Sequence, residues 1–151
     1  TSLRDLVLTS DESDISVNMG TIHLYGWNIP LVHEGKTYFA HHLNTGVPHI
    51  VIFVDKLDAI DVEGIGRAFR YHEQFAPQGT NVNFVEVLEA SANIRTYERG
   101  VEGETLACGT GVTAAACCLN KLYNFASPIS MRVQSGEWLQ VLFEDEDGKL
   151  D

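Results

Sequence analysis

The chain has 151 residues and a mass of 16.7 kDa, with 44% hydrophobic and 21% charged residues, the size and balance of one ordinary globular domain or two very small ones. Ten Lys and Arg against twenty-one Asp and Glu leave a formal charge of −11, the wrong sign for tracking nucleic-acid phosphates or for adhering to an anionic membrane. No stretch approaches the roughly 18 apolar residues of a membrane span, so neither nucleic acid nor membrane is expected as a partner.

The first third reads as β structure. Ile15 to Met19 alternates, and short runs follow at Thr21–Tyr25, Asn28–His33 and Lys36–His41, broken by Gly26 and Gly35. His49 to Val54 is a dense β-branched run, the pattern of a buried strand. The period then changes: Val62, Ile65 and Phe69 lie at helical spacing behind Asp61, a good N-cap. After a turn at Pro77-Gln78-Gly79, Thr80 to Leu88 alternates, Asn93 to Arg99 is a further strand, and Glu102-Gly103-Glu104 reads as loop. Gly109 to Leu119 is a helix of small side chains, apolar all round and therefore expected to be buried on most sides. Ile129–Gln134 and Glu137–Phe143 close the series as strands. Many short strands with two helices give an α+β fold, and a curved antiparallel sheet wrapped barrel-like around a central helix suits the small-residue segment. Asp147-Gly148 reads as a hairpin turn whose return strand is cut short; with Thr1 in place of a starting Met, this gives the expectation of a chain truncated at both ends.

Three cysteines without a CxxC argue against a disulfide framework and for a reducing, cytoplasmic setting; with the six histidines they do not supply the tight spacing of a structural zinc. Cys117 and Cys118 lie mid-helix among alanines and read as small core residues. Cys117 is nine residues past Cys108, about 13 Å along a helix axis, too far to share one reacting carbon with it. Cys108 is different. It stands just before the helix start, next to Gly109-Thr110-Gly111, where the dipole favours a thiolate. The N–H groups of Gly109, Thr110 and Gly111 have no intrahelical acceptor and can hold a carboxylate. A Gly-Thr-Gly without a following Lys is not a P-loop. Glu98-Arg99, taken alone, is equally a solvated strand pair, and His49 is equally a strand-end histidine with a satisfied ring.

The segments Thr96-Tyr97-Glu98-Arg99-Gly100 and Gly103-Glu104-Thr105-Leu106-Ala107-Cys108-Gly109-Thr110-Gly111 resemble the signature around the second catalytic cysteine of diaminopimelate epimerases. Thr45-Gly46-Val47-Pro48-His49 resembles that family's Asn-Pro-His turn, Thr80 to Val87 its Asn-containing strand, and Val17-Asn18-Met19-Gly20 the start of its second lobe. The segments come in the family's order and span nearly the whole chain. The resemblance implies a cofactor-independent isomerase with no metal, built of two similar lobes, each a β-barrel around a central helix. LL- and meso-diaminopimelate interconvert in the cleft between them, in lysine and peptidoglycan biosynthesis. One cysteine deprotonates the α-carbon as a thiolate while the other returns a proton to the opposite face; inversion needs both.

On that resemblance Cys108 is one of the pair, with Glu98 and His49 positioning the cysteines and setting their protonation. Gly109 and Thr110 bind the α-carboxylate of a small amino-acid substrate. Asn81, Glu98 and Arg99 recognise its distal end, Arg99 by a fork to the carboxylate. The chain departs from the pattern at three points. It holds no Asn-Cys-Gly-Asn-Gly-type segment, so an N-terminal lobe with the first cysteine is expected from elsewhere and the chain alone is expected to be inactive. The family asparagine before Pro-His is Val47, which leaves open a same-fold racemase of another substrate. The Glu98 to Cys108 interval is one residue longer than usual, a difference that Gly100 and Gly103 can absorb. A non-catalytic carboxylate-binding module is the third alternative. An incomplete hairpin exposes a sheet edge, so a homodimer is also expected.

Overall fold

In a computed structural model, which describes residues 4–10, 16–18 and 20–144, the dense run predicted at His49–Val54 is a strand covered on both faces. Alternate residues explain why it carries no polar face: Ile50 and Ile52 join one hydrophobic cluster, and Val51 joins another on the opposite side. The strands in chain order are β1 (Arg4–Ser10), β2 (Ser16–Asn18), β3 (His23–His33), β4 (Lys36–Asn44), β5 (Pro48–Phe53), β6 (Asn81–Val87), β7 (Ala92–Glu98), β8 (Gly103–Thr105), β9 (Ile129–Arg132) and β10 (Trp138–Glu144). The helices are α1 (Val62–Arg70) and α2 (Gly109–Tyr123).

The described strands form one open sheet in the order β2-β1-β10-β9-β7-β6-β5-β4-β3, with β8 attached to β7. The sheet curls around α2, which touches β1, β4, β5, β6, β7, β9 and β10. Gly111 to Leu119 are all buried, as the small residues predict: a helix surrounded by strands has room for Ala and Cys where a Leu-rich one would not fit. Asn124, in the left-handed conformation at φ 58°, ends the helix, and the Phe125 N–H returns to the Leu119 carbonyl at 3.2 Å. The other helix, α1, lies outside the sheet. Asp61 Oδ1 accepts the Gly64 N–H at 3.0 Å as the predicted N-cap, and Val62, Ile65 and Phe69 pack over β6 and β7. Gly66 is needed at the crossing, because a Cβ there would stand 2.5 Å from Tyr97 Cβ.

Three expectations require correction. The sheet is mixed rather than antiparallel throughout: β5 pairs with β6, and β7 with β9, in parallel. Both follow from helical crossovers, α1 between β5 and β6 and α2 between β7 and β9, since a helix returns the chain to the starting end of the sheet. The runs split at Gly26 form a single strand, β3, because irregularities between Leu24 and Ile29 absorb the break, with Asn28 at φ 53°. The segment read as loop at Glu102–Glu104 contains β8, paired antiparallel to β7. Three residues carry no periodicity; this strand forms because Glu104 clasps Arg95 of β7 through two contacts of 2.7 Å and its N–H meets Glu63 of α1. The hairpin turn at Asp147-Gly148, and Ile15 and Met19, lie outside the described residues. No helix among the described residues is long and apolar enough to cross a membrane.

Candidate active site

The start of α2 lies at one end of the curled sheet, and the sequence-predicted residues gather there. Cys108 occupies the N-cap position in extended conformation, φ −140° and ψ 107°, and is half-buried. The first intrahelical bond runs from Val112 N–H to the Cys108 carbonyl at 2.9 Å, which leaves the N–H groups of Gly109 and Thr110 directed out of the helix end. The Thr110 hydroxyl lies 3.5 Å from Cys108 Sγ. The turn after β4 holds this helix end in place, with Thr45 Oγ1 donating to the Thr110 carbonyl at 3.0 Å.

Behind the thiol stands His49, fully buried at the start of β5. Its Nε2 is 2.8 Å from Thr110 Oγ1 and its Nδ1 is 3.0 Å from Asn83 Nδ2. Burial, and secondarily the nearby Arg99 charge, push its pKa down to about 3, so the ring is neutral near pH 7. Asn83 is also fully buried: its amide nitrogen donates to the Ile50 carbonyl at 2.9 Å and its oxygen accepts from Thr96 Oγ1 at 2.8 Å. Gly111 passes so close that a Cβ there would collide with Asn83 Oδ1. His49, Asn83, Thr96 and Glu98 sit at alternate positions on strands whose other face packs on α1, which turns all of them toward α2.

The Cys108 thiol is not activated in the way the sequence implies. Burial raises its pKa above the ordinary thiol value. The Thr110 hydroxyl and the Gly111 N–H pull in the expected direction, and the Glu98 carboxylate, facing the sulfur, opposes them. Desolvation is the largest of these effects because the half-buried sulfur is partly withdrawn from water. In this chain, then, burial favours the protonated thiol, and Glu98 stands beside it.

The predicted distal-end residues are arranged unequally. Asn81 is buried and engaged at both ends of its amide: Nδ2 donates to the Pro48 carbonyl at 2.8 Å and Oδ1 accepts the Arg99 N–H at 2.8 Å. It therefore ties the turn before β5 to the end of β7, with one amide hydrogen to spare. Arg99 is half-buried and reaches the Gln78 carbonyl at 3.3 Å. Arg70 and Arg95 are paired with Glu102 and Glu104, whereas Arg99 forms no ion pair among the described residues. Sequence reasoning missed Asn83, Thr96 and Thr45. The signal available for Asn83 was two asparagines at i and i+2 in a strand otherwise full of buried apolar residues. Among the described residues no three His, Cys, Asp or Glu side chains converge as a metal-binding group. A cleft of about 620 Å³ lined by Asn28, His41, Phe53 and Tyr123 lies at the other end of α2.

The model of the diaminopimelate epimerase family matches residues 42–150, more than half of the chain and all of this site. The chain belongs to the diaminopimelate epimerase family. It is 49% identical over 142 residues to the diaminopimelate epimerase of a Hydrogenobaculum species, an overlap of 90% of this chain and 50% of that protein. The Aquifex aeolicus diaminopimelate epimerase is 47% identical over 116 residues, 75% of this chain and 41% of that protein. The Archaeoglobus fulgidus diaminopimelate epimerase is 44% identical over 119 residues, 79% of this chain and 42% of that protein. The chain thus spans about half the length of the curated relatives it matches. Among solved structures, a phenazine biosynthesis protein of the PhzF family from Enterococcus faecalis superposes with a TM-score of 0.50 at 16% identity, over 97% of this chain and 42% of that one. At that identity the likeness concerns the fold alone, a sheet curled around one helix.

Proposed function

We propose that this chain is the C-terminal lobe of a cofactor-independent amino-acid epimerase, and that Cys108 supplies one of the two groups that exchange the α-proton of LL- and meso-diaminopimelate. The observation that carries the reading is the setting of Cys108. A half-buried thiol at a helix N-terminus has the Thr110 hydroxyl and the Glu98 side chain beside it, next to N–H groups without intrahelical acceptors. A substrate α-carboxylate held by the Gly109 and Thr110 N–H groups places its α-carbon beside the sulfur. The thiol form delivers a proton to that carbon. In the reverse direction Glu98 takes the thiol proton and the resulting thiolate abstracts the α-proton. His49, neutral and buried, serves as a hydrogen-bonding support for Thr110 rather than as a base. Arg99, without a carboxylate partner, meets the distal carboxylate of the substrate, and the spare amide hydrogen of Asn81 points to the same end.

One sulfur reaches one face of the α-carbon, so inversion requires a second acid or base on the opposite face. Cys117 and Cys118 are buried within α2 and do not supply it. A second lobe carrying the partner cysteine, absent from this sequence, completes the site. Leu106, 68% exposed two residues before Cys108, is an apolar side chain fit to be covered by such a lobe. The chain alone is therefore inactive in epimerisation.

Incubation of LL-diaminopimelate in D₂O, followed by proton NMR, tests the reading. No α-proton exchange is expected from the folded chain alone, and exchange with inversion is expected when the N-terminal half of a relative is added. In that complete enzyme Cys108→Ser should abolish exchange; unimpaired exchange would overturn the role of Cys108. Val47, where the family has asparagine, supports one second reading, a racemase of a shorter amino acid. Equal rates on diaminopimelate and on short amino acids would favour it.

A further inference from the structure

The buried side chains behind Cys108 form a line in which the hydrogen-bond directions from Asn83 as far as Thr110 are determined. The Ile50 carbonyl only accepts, so the Asn83 atom 2.9 Å from it is the NH₂ group, and the Asn83 oxygen is the atom that accepts from Thr96 Oγ1. The orientation of this amide is thus set by its two other partners. Its second N–H then donates to His49 Nδ1 at 3.0 Å, which makes Nδ1 an acceptor and puts the ring proton of neutral His49 on Nε2. Nε2–H donates to Thr110 Oγ1 at 2.8 Å, which leaves the Thr110 hydroxyl proton free to be donated to Cys108 Sγ, 3.5 Å away.

We propose that Asn83 is a positioning residue for the proton transfer at Cys108: by selecting the Nε2–H tautomer of His49 it turns the Thr110 hydroxyl into a donor to the sulfur, and so holds Cys108 ready to become a thiolate. The inference rests on the reading of Cys108 as the acid/base group and adds to it what sets its readiness. The direction matters because the relay is reversible in principle. A carboxylate in place of the Asn83 amide accepts from Nδ1, so His49 carries its proton there. Nε2 then accepts, the Thr110 hydroxyl rotates toward it, and the sulfur loses its donor. Gly111 keeps the relay short, since any Cβ at that position would displace the Asn83 oxygen. The other groups facing the sulfur are Glu98 from β7 and the Gly111 N–H from α2, and Arg99 faces His49; all are unchanged by substitutions at Asn83.

The test is the pH profile of Cys108 alkylation by iodoacetamide in the full chain, with peptide mass mapping to separate it from Cys117 and Cys118. Asn83→Asp and Thr110→Val should each move the profile to higher pH and slow alkylation about tenfold at a fixed pH below the titration. The double variant should be no slower than either single one, because both remove the same donor. Thr110→Ser, which keeps the hydroxyl, should restore the original profile. Nitrogen-correlated NMR of the His49 ring should show Nε2–H in the unsubstituted chain and Nδ1–H in Asn83→Asp. A folded Asn83→Asp variant with an unmoved profile, additive effects in the double variant, or an Nδ1–H ring in the unsubstituted chain would each overturn the proposal. Should Asn83→Asp fail to fold, the tautomer of the unsubstituted chain and the Thr110→Val and Thr110→Ser pair decide alone. None of these readouts needs turnover. A failure of α-proton exchange in the complete enzyme would count against the epimerase reading while leaving the relay measured.

Discussion

Acidification should destabilise this chain through His49 in a window that a single substitution can isolate. In the folded chain burial, helped by Arg99, holds the ring pKa at about 3, against 6.5 in an unfolded chain. Below the unfolded value the unfolded state takes up a proton that the folded state refuses. The stability contributed by neutral His49 is therefore fully present above 6.5 and is lost as the pH falls toward 3. Each pH unit within that window removes about 1.4 kcal/mol, so the loss between about pH 7.5 and about pH 4.5 approaches ~2.7 kcal/mol from this side chain. That is a substantial share of the roughly 5–15 kcal/mol of a typical domain. Burial lowers the pKa of His41 and His42 as well. The comparison must therefore be a difference. Urea unfolding of the chain and of His49→Gln, followed by circular dichroism at several pH values, supplies it, since Gln occupies a similar volume and does not titrate. The stability difference between the two should move by about 2.7 kcal/mol in favour of the variant on acidification. Parallel curves would show that His49 takes up its proton as readily in the folded chain as in the unfolded one, and the buried, neutral ring behind Thr110 would be wrong.

Two further outcomes are expected. Gly66→Ala gains about 1 kcal/mol of helix propensity in α1 but sets a methyl group 2.5 Å from Tyr97 Cβ and 2.8 Å from its Cγ, atoms anchored to β7 that cannot swing aside. Overpacking costs of ~1–3 kcal/mol outweigh the gain, so the urea midpoint should fall; an unchanged or higher midpoint would refute the close crossing. Alkylation of the folded chain should modify Cys108 well before Cys117, whose thiol burial pushes up to about 11, and before Cys118, whose thiol burial pushes well above its ordinary value. Mass mapping that finds Cys117 modified first would contradict the burial of α2 inside the sheet.

Several features were legible because they depend on neighbours in sequence. The capping of α1 by Asp61, the burial of α2 from its small residues, and the doubly covered β5 each follow from a local pattern, and each is present. The motif around Cys108 was also legible, since glycines at a helix start carry their own conformational reason. What the pattern misjudged was protonation. The helix end predicts an activated thiol, but the balance at Cys108 includes burial and the Glu98 side chain, which comes from a strand ten residues earlier in the chain. Neither is a property of the Cys108 segment.

The parallel pairings and the short strand β8 belong to the same class: a ladder partner is supplied from elsewhere, so no periodicity within the segment announces it. Asn83 is the clearest instance. In the sequence it is a polar residue in an alternating run and equally fit to face solvent. Its place is decided when α1 covers one face of β6 and α2 the other, because a buried amide must then find a partner for every donor and acceptor. The partners that satisfy it are 13 to 34 residues away, on β5 and β7. The amino-acid order was enough to mark the Cys108 sulfur and the helix it caps. The direction of the hydrogen bonds that reach that sulfur arises only when three strands and a helix are brought together in a space from which water is excluded.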